Sequence, residues 1–117
     1  MEGHRAERVS EALRSELEEL ICYELQDPRV RVAAVTEVQL APDMKRAMVR
    51  LSLEGDPADR TATIEALEHA KAFLRHQLAE RVEMFRIPDL YFEGDMGDSL
   101  SGRVPQLLKR IKKGRAK

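Results

Sequence analysis

The chain of 117 residues has the length of a single domain. Hydrophobic residues make up 43% and charged residues 35%, which indicates a compact domain with a charged surface and excludes a disordered chain. The single cysteine, Cys22, excludes an internal disulfide, and no apolar run approaches the roughly 20 residues that span a bilayer. We therefore expect a cytoplasmic protein that is neither exported nor embedded in a membrane.

The first predicted element is a helix over about residues 5–25. Apolar side chains recur there at steps of four and three, which places them on one helix face. They are Val9, Leu13, Leu17, Leu20 and Ile21. We expect the helix to end at Asp27-Pro28, because proline disfavours helical geometry in the residue before it.

Two strands are predicted next, over residues 31–40 and 45–53. In the first strand the expected inward row is Val32, Ala34, Val38 and Leu40, with Thr36 as its weak point. In the second strand the expected inward row is Ala47, Val49, Leu51 and Leu53, and the outward row contains Arg46, Met48, Arg50 and Ser52. The turn signal Ala41-Pro42-Asp43-Met44 is short, so the two strands should form an antiparallel hairpin.

A long helix is predicted from Pro57, behind an Asp56 cap, to about Met84. Its expected apolar face consists of Ile64, Leu67, Ala70, Leu74, Leu78 and Val82, with help from Phe73. Because such a helix is longer than the strands it should cover, we expect it to bend or break.

A short third strand is predicted over residues 89–93, with Leu90 and Phe92 inward, followed by a loop over residues 94–99. A helical turn or two is predicted after Pro105. The order helix, strand, strand, long helix, strand indicates a two-layer α+β fold with a three-stranded sheet packed on helices.

Positive charge is concentrated at the carboxyl end of the chain. The formal net charge is −1, yet the segment from Arg103 to Lys117 has seven basic residues and no acidic ones. We expect a folded domain over residues 1–102 and a basic tail over residues 103–117. The tail has a positive local potential whatever the charge of the whole chain.

Several segments together resemble one known family. Glu24-Leu25-Gln26-Asp27-Pro28-Arg29-Val30 is similar to the E-L/I-x-D-P-R-V/L signature of the ribosome-binding factor A family. The other similar segments, in the order found in that family, are Val35 to Asp43, Ala47 to Leu51, Ala66 to Arg75 and Arg86 to Phe92. The resemblance covers about residues 5–100.

The resemblance implies a KH-like fold of the second topology type, in the order α-β-β-α-β with a kink in the long helix. It also implies a bacterial ribosome-biogenesis factor without catalysis, which binds the small (30S) ribosomal subunit and its 16S rRNA and assists late maturation and rRNA processing. The family's Ala-x-Gly kink matches Ala70-Lys71-Ala72, where Ala72 stands in the place of the usual glycine. Arg31 likewise replaces a common glycine.

The candidate RNA-binding residues of the long helix and its end are Lys71, Arg75, Arg81 and Arg86. Lys71 and Arg75 are four residues apart and share a helix face. Lysine and arginine supply the salt-dependent part of RNA affinity through phosphate contacts. Charge spacing alone favours a solvated face that pairs with Glu68, Glu80 and Glu83, whereas the resemblance favours RNA contact for Lys71 and Arg75.

Further candidate RNA-binding residues lie on the hairpin and in the tail. They are Arg46 and Arg50, on the outward face of the second strand, and Lys109, Arg110, Lys112 and Lys113. The tail fits a basic arm that binds nucleic acid and equally a solubilising segment. An alternative function for the whole chain is a protein-interaction module that docks on ribosomal proteins without direct RNA contact.

Catalytic and metal sites are not indicated. His69 and His76 are seven residues apart on one predicted helix, which is not the four-residue spacing of zinc-binding helices. Cys22 has no evident base beside it and fits a partly buried, inert thiol. We therefore expect no cofactor, no metal and no enzymatic activity, and a monomer.

Overall fold

The computed structural model describes residues 2–95 of the chain. Six regular elements and one π-helical turn follow one another in this range. They are helix α1 (Glu2–Glu19), the π-helical turn (Leu20–Glu24), strands β1 (Val32–Leu40) and β2 (Arg46–Leu53), helices α2 (Pro57–His69) and α3 (Lys71–Arg81), and strand β3 (Asp89–Gly94). The expected two-layer α+β order is confirmed. The basic tail and the helical turns predicted after Pro105 lie outside the described residues.

The sheet has the order β1-β2-β3. Strands β1 and β2 form the expected antiparallel hairpin, and β2 and β3 pair in parallel, with Arg46 opposite Asp89 and Arg50 opposite Glu93. Parallel neighbours require a crossover connection, which α2 and α3 provide. Strand β3 is consequently an edge strand that faces β2 on one side and borders the helical layer.

The inward row of β1 differs from the prediction. Register shifts between Val32 and Ala34 and between Val35 and Glu37 interrupt the pairing with β2. Each irregularity changes the strand's phase, because an extra residue moves the following side chains to the other face. As a result Val35 is buried and Thr36 is exposed. The expected inward row of β2 is correct for Ala47, Val49 and Leu51, which are fully buried.

The core lies between one face of the sheet and the helices. Apolar residues of α1, the sheet, α2 and α3 form a single cluster. Its least exposed large members include Leu13, Leu17 and Leu20 from the first helical segment and Ile64, Leu67, Leu74 and Leu78 from the crossover. Burial of a leucine side chain contributes about 1.5–3 kcal/mol, so this cluster is the main source of stability.

Helix α2 begins as predicted at an Asp56 cap with Pro57 at its first position. The Asp56 carboxylate accepts from the Asp59 N–H at 2.8 Å, and the Asp59 carboxylate accepts from the Asp56 N–H at 3.2 Å. Two backbone donors of the first turn are thereby satisfied. Gly55, just before the cap, has φ 97°, and a Cβ there would lie 2.5 Å from the Asp59 Cβ. The tight entry into α2 therefore requires glycine.

The long helix is broken at Ala70, which separates α2 from α3. Ala70 has φ −90° and ψ 3°, and its N–H donates to the carbonyl oxygens of both Ala66 and Leu67. This contraction changes the direction of the chain without glycine. Leu74 and Leu78 re-enter the core after the break, whereas Phe73 is 45% exposed, so its predicted contribution to the apolar face was wrong.

Candidate nucleic-acid interface

Lys71 and Arg75 lie on the side of α3 that borders β3. The Lys71 ammonium is 3.0 Å from the Glu68 carboxylate and 5.4 Å from the centre of the Tyr91 ring, a cation–π distance. The Arg75 guanidinium donates to the carbonyl oxygen of Ile87 at 2.8 Å and lies 3.3 Å from the Asp89 carboxylate. Both cations are therefore engaged within the protein.

Arg46 and Arg50 project from the neighbouring strand, β2. Arg46 donates to Asp43 in the hairpin turn at 3.1 Å, and Arg50 lies 3.6 Å from Glu93 on β3. The register sets Arg46 opposite Asp89, the residue that Arg75 contacts. The structure thus brings Lys71, Arg75, Arg46 and Arg50 together along β3. We call these four side chains the β3 cationic row.

Arg81 lies apart from the β3 cationic row. Its guanidinium donates to the Glu24 carboxylate at 2.6 and 2.8 Å and lies 3.7 Å from Glu16. These hydrogen bonds lower the pKa of the Glu24 carboxyl below its ordinary value. Arg81 consequently joins α3 to the end of the first helical segment, a structural role that charge spacing did not reveal.

Arg86 is exposed, and it makes no ion pair within the part of the chain that the structure describes. Among the arginine and lysine side chains of residues 5–95, those that make no ion pair and no hydrogen bond with a side chain are few. They are Arg5, Arg8, Lys45 and Arg86. Of the ten predicted RNA-binding residues, Arg86 is thus the described one most accessible to a phosphate. Lys109, Arg110, Lys112 and Lys113 lie outside the described residues.

The D-P-R segment after the first helix is held by one buried hydroxyl. The Thr63 side chain, fully buried in α2, donates to the carbonyl oxygen of Arg29 at 2.8 Å and accepts from the Arg31 N–H at 3.1 Å. The Arg31 guanidinium also contacts Asp59 at 2.9 Å. Arg31, which stands where the family commonly has glycine, therefore adds an ion pair to the start of α2.

Three further features of the described residues bear on function: possible metal-binding groups, the Cys22 thiol and the hydropathy of the helices. Residues 5–95 hold no group of three His, Cys, Asp or Glu side chains that could bind a metal ion. The Cys22 thiol donates to the Val32 carbonyl oxygen at 3.5 Å, and burial raises its pKa, which opposes thiolate formation. None of the described helices has an apolar stretch that could cross a membrane.

The helix, hairpin, divided crossover helix and parallel third strand define a KH-like α+β domain of the second topology type. Ordinary KH domains clamp nucleic acid with a GXXG loop between helices. Here the junction between α2 and α3 lacks glycine, and the one G-x-x-G spacing in the sequence begins at Gly94, which is a buried residue of β3. The described residues therefore have the KH-like arrangement without a glycine clamp between α2 and α3.

Comparison with known proteins identifies the family. The family model described as Ribosome-binding factor A matches residues 5–108. A relative of that name from Solibacter usitatus is 42% identical over 113 residues, which are 97% of this chain and 92% of the relative. Another, from Halothermothrix orenii, is 35% identical over 112 residues, 96% of this chain and 92% of that relative. The chain belongs to the ribosome-binding factor A family.

Solved structures agree with this membership. The crystal structure of ribosome-binding factor A from Thermus thermophilus superposes with a TM-score of 0.69 at 29% identity, over 76% of this chain and 94% of that one. A homology model of the Thermus thermophilus factor, fitted into the cryo-EM map of a complex of the 30S subunit with that factor, gives a TM-score of 0.56 at 31% identity, over 78% and 91% of the two chains.

Proposed function

We propose that the chain is a cytoplasmic, non-enzymatic assembly factor that binds the small ribosomal subunit, contacts its 16S rRNA and assists late maturation of the subunit and processing of that RNA. The observation that carries this proposal is the family match over residues 5–108, together with a homology model of a relative that was fitted into the map of a 30S complex.

The candidate RNA surface combines the β3 cationic row, Arg86 and the basic tail. Within the β3 cationic row each cation already faces a carboxylate, so a phosphate must compete with Glu68, Asp89, Asp43 or Glu93. Exchange of one anion for another yields less free energy than neutralisation of an unpaired cation. We therefore assign the larger part of the RNA affinity to Arg86 and the tail, and a smaller part to the β3 cationic row.

Sedimentation with purified 30S particles tests the proposal. Binding should weaken steeply between low and moderate salt, because phosphate contacts release counterions. Removal of residues 103–117 should reduce the salt dependence, and Lys71→Ala should reduce the affinity only slightly. Arg29→Ala is the matched control, because Arg29 is likewise ion-paired, with Asp27 at 3.0 Å, and lies outside the proposed surface.

Isolated 16S rRNA separates the proposal from docking on ribosomal proteins. Direct RNA contact requires salt-sensitive binding to the free RNA, whereas binding to complete particles alone, insensitive to salt, would indicate a protein partner. Cells depleted of the factor should accumulate unprocessed 16S rRNA, and the full-length chain should restore processing. Normal 16S rRNA ends and normal 30S levels in depleted cells would contradict the role in maturation.

A further inference from the structure

A groove of about 270 Å³ lies where the start of α1, the hairpin turn and the segment after α3 meet. Among the predicted RNA-binding residues in the described part of the chain, only Arg86 lines this groove. Its lining residues are Arg5, Val9, Asp43, Met44, Lys45, Glu83, Met84, Phe85 and Arg86. Small-molecule pockets commonly span about 300–1,000 Å³, so the volume of this groove suits a small group.

Phe85 is the most exposed large apolar side chain in the described part of the chain. Its relative exposure is 106%, compared with 77% for Tyr23 and 45% for Phe73. The groove beside it is lined by Val9, Met44 and Met84, which pack against the core and are only partly covered. An aromatic ring held in full contact with water, next to an apolar recess, has a free face on which a second flat ring can stack.

The side chains around the groove carry a net positive charge, and several of the cations make no ion pair that a phosphate would have to replace. Of the four cations in the described part of the chain that have no ion pair, three line the groove: Arg5, Lys45 and Arg86. Two carboxylates also line it, but Asp43 accepts from the Lys45 N–H and from Arg46, and these interactions hold the pKa of its carboxyl below the ordinary value. The three lining cations exceed the two lining carboxylates, Asp43 and Glu83, by one positive charge, and Arg46 beside the groove pairs with Asp43.

We propose that this groove is a subsite for one unpaired nucleotide of single-stranded RNA, whose base stacks on Phe85 while Arg5, Lys45 and Arg86 contact the flanking phosphates. The proposal rests on the proposed function and names the part of the RNA that the chain recognises. An aromatic face with cations around it is the combination that single strands require, because stacking is tolerant of sequence and phosphates need positive charge. A duplex offers no free base face to Phe85.

Tryptophan fluorescence tests the stacking directly, because the chain contains no tryptophan. In Phe85→Trp, a short single-stranded oligoadenylate should quench the fluorescence in a saturable way, and the same strand annealed to oligouridylate should quench it far less. Phe73→Trp is the control, since it places the same fluorophore on the exposed part of α3 away from the groove. Equal quenching in both variants, or equal quenching by the duplex, would overturn the proposal.

Affinity measurements supply the second test. Phe85→Ala should weaken oligoadenylate binding about tenfold, within the range for loss of one base–aromatic stack, whereas Phe73→Ala should leave it unchanged. Arg86→Ala should weaken binding and flatten its salt dependence, and Arg8→Ala, which removes an unpaired cation outside the groove, should do so far less. Unchanged thermal unfolding of Phe85→Ala keeps the comparison valid, since the replaced ring contributes no burial.

The outcomes separate this subsite from the proposed function. Binding of the wild-type chain to 30S particles, with Phe85→Ala and Phe85→Trp behaving like their controls, would reject the subsite and leave the proposed function standing. If the wild-type chain binds neither 30S particles nor rRNA, the proposed function is rejected. A third outcome is that Phe85→Ala loses 30S binding while the wild-type chain binds no oligonucleotide. The groove would then contact a ribosomal protein, and the nucleotide subsite would be rejected.

Discussion

The Arg75 guanidinium donates a hydrogen bond of 2.8 Å to the carbonyl oxygen of Ile87, and this bond joins α3 to the segment that enters β3. Arg75 also contacts Asp89, the first residue of that strand. A cation predicted to contact RNA thus has an architectural role as well. A loss of ribosome binding after removal of Arg75 has two possible causes, and stability must be measured beside binding.

We expect Arg75→Ala to destabilise the domain by about 1–2 kcal/mol, because the Ile87 carbonyl oxygen loses a charged donor. Lys71→Ala should cost less than about 0.5 kcal/mol, since its ion pair with Glu68 is a surface pair within the helical layer. Urea unfolding of the two variants checks both values. Equal stability of Arg75→Ala and Lys71→Ala would argue against the architectural role.

A second prediction concerns the buried Thr63 hydroxyl. Thr63→Val keeps the shape of the side chain but leaves the Arg31 N–H and the Arg29 carbonyl oxygen without this partner, at a cost of about 1–3 kcal/mol. Thr61→Val, at an exposed position of the same helix, is the control and should change the stability little. Thermal unfolding distinguishes the two. Similar melting temperatures would show that the D-P-R segment does not depend on this hydroxyl.

A third prediction follows from the pair of Glu24 and Arg81. The pKa of the Glu24 carboxyl is lowered in the folded state, so the pair contributes stability above the unfolded pKa and loses it as the pH falls through the folded pKa. Arg81→Gln should raise the pKa of Glu24 toward its ordinary value. Side-chain carboxyl NMR titration measures it, with Glu11, whose pKa is lowered by Arg14, as the internal control. An unchanged Glu24 titration in Arg81→Gln would contradict this assignment.

A fourth prediction uses two exposed positions of α3, Ala72 in its first turn and His76 in its middle. Because Ala72 is in the first turn after the break, Ala72→Gly should cost clearly less than the difference between His76→Ala and His76→Gly, for which a helix-interior value of about 1 kcal/mol is expected. If the helix were continuous through Ala70, both positions would be interior and the two costs would be equal. Urea unfolding of the three variants decides between a broken and a continuous helix.

Much of the fold could be predicted from the sequence because the apolar periodicities of α1, β2 and β3 are regular. The break at Ala70 could be anticipated only from helix length and from the family resemblance. Leu67, Leu74 and Leu78 are spaced by seven and four residues, which suits an unbroken helix equally well. The two register shifts of β1 cannot be recognised in the sequence, so Thr36 was placed in the inward row, whereas the structure buries Val35 and exposes Thr36.

The candidate site could be predicted less completely. The positions of the cations are visible in the sequence, but their partners are distant along the chain: Arg81 bonds Glu24, and Arg75 contacts Asp89 across the start of β3. Only the folded arrangement shows which cations remain unpaired. Arg5 was not among the predicted RNA-binding residues, because it is far from Lys45 and Phe85 in the sequence. In the fold these three residues line one groove.

The π-helical turn at Leu20–Glu24 holds one residue more than an α-helical turn would, as the hydrogen bond from the Leu25 N–H to the Leu20 carbonyl oxygen at 2.7 Å shows. Deletion of a single residue there would restore regular winding yet rotate everything beyond it by about 100°. Asp27 to Arg31 would then turn away from Thr63, and the chain could no longer enter β1 in register. The extra residue of the π-helical turn thus sets the direction in which the chain leaves the first helix. A homologue that lacks this residue would need another change to keep that direction.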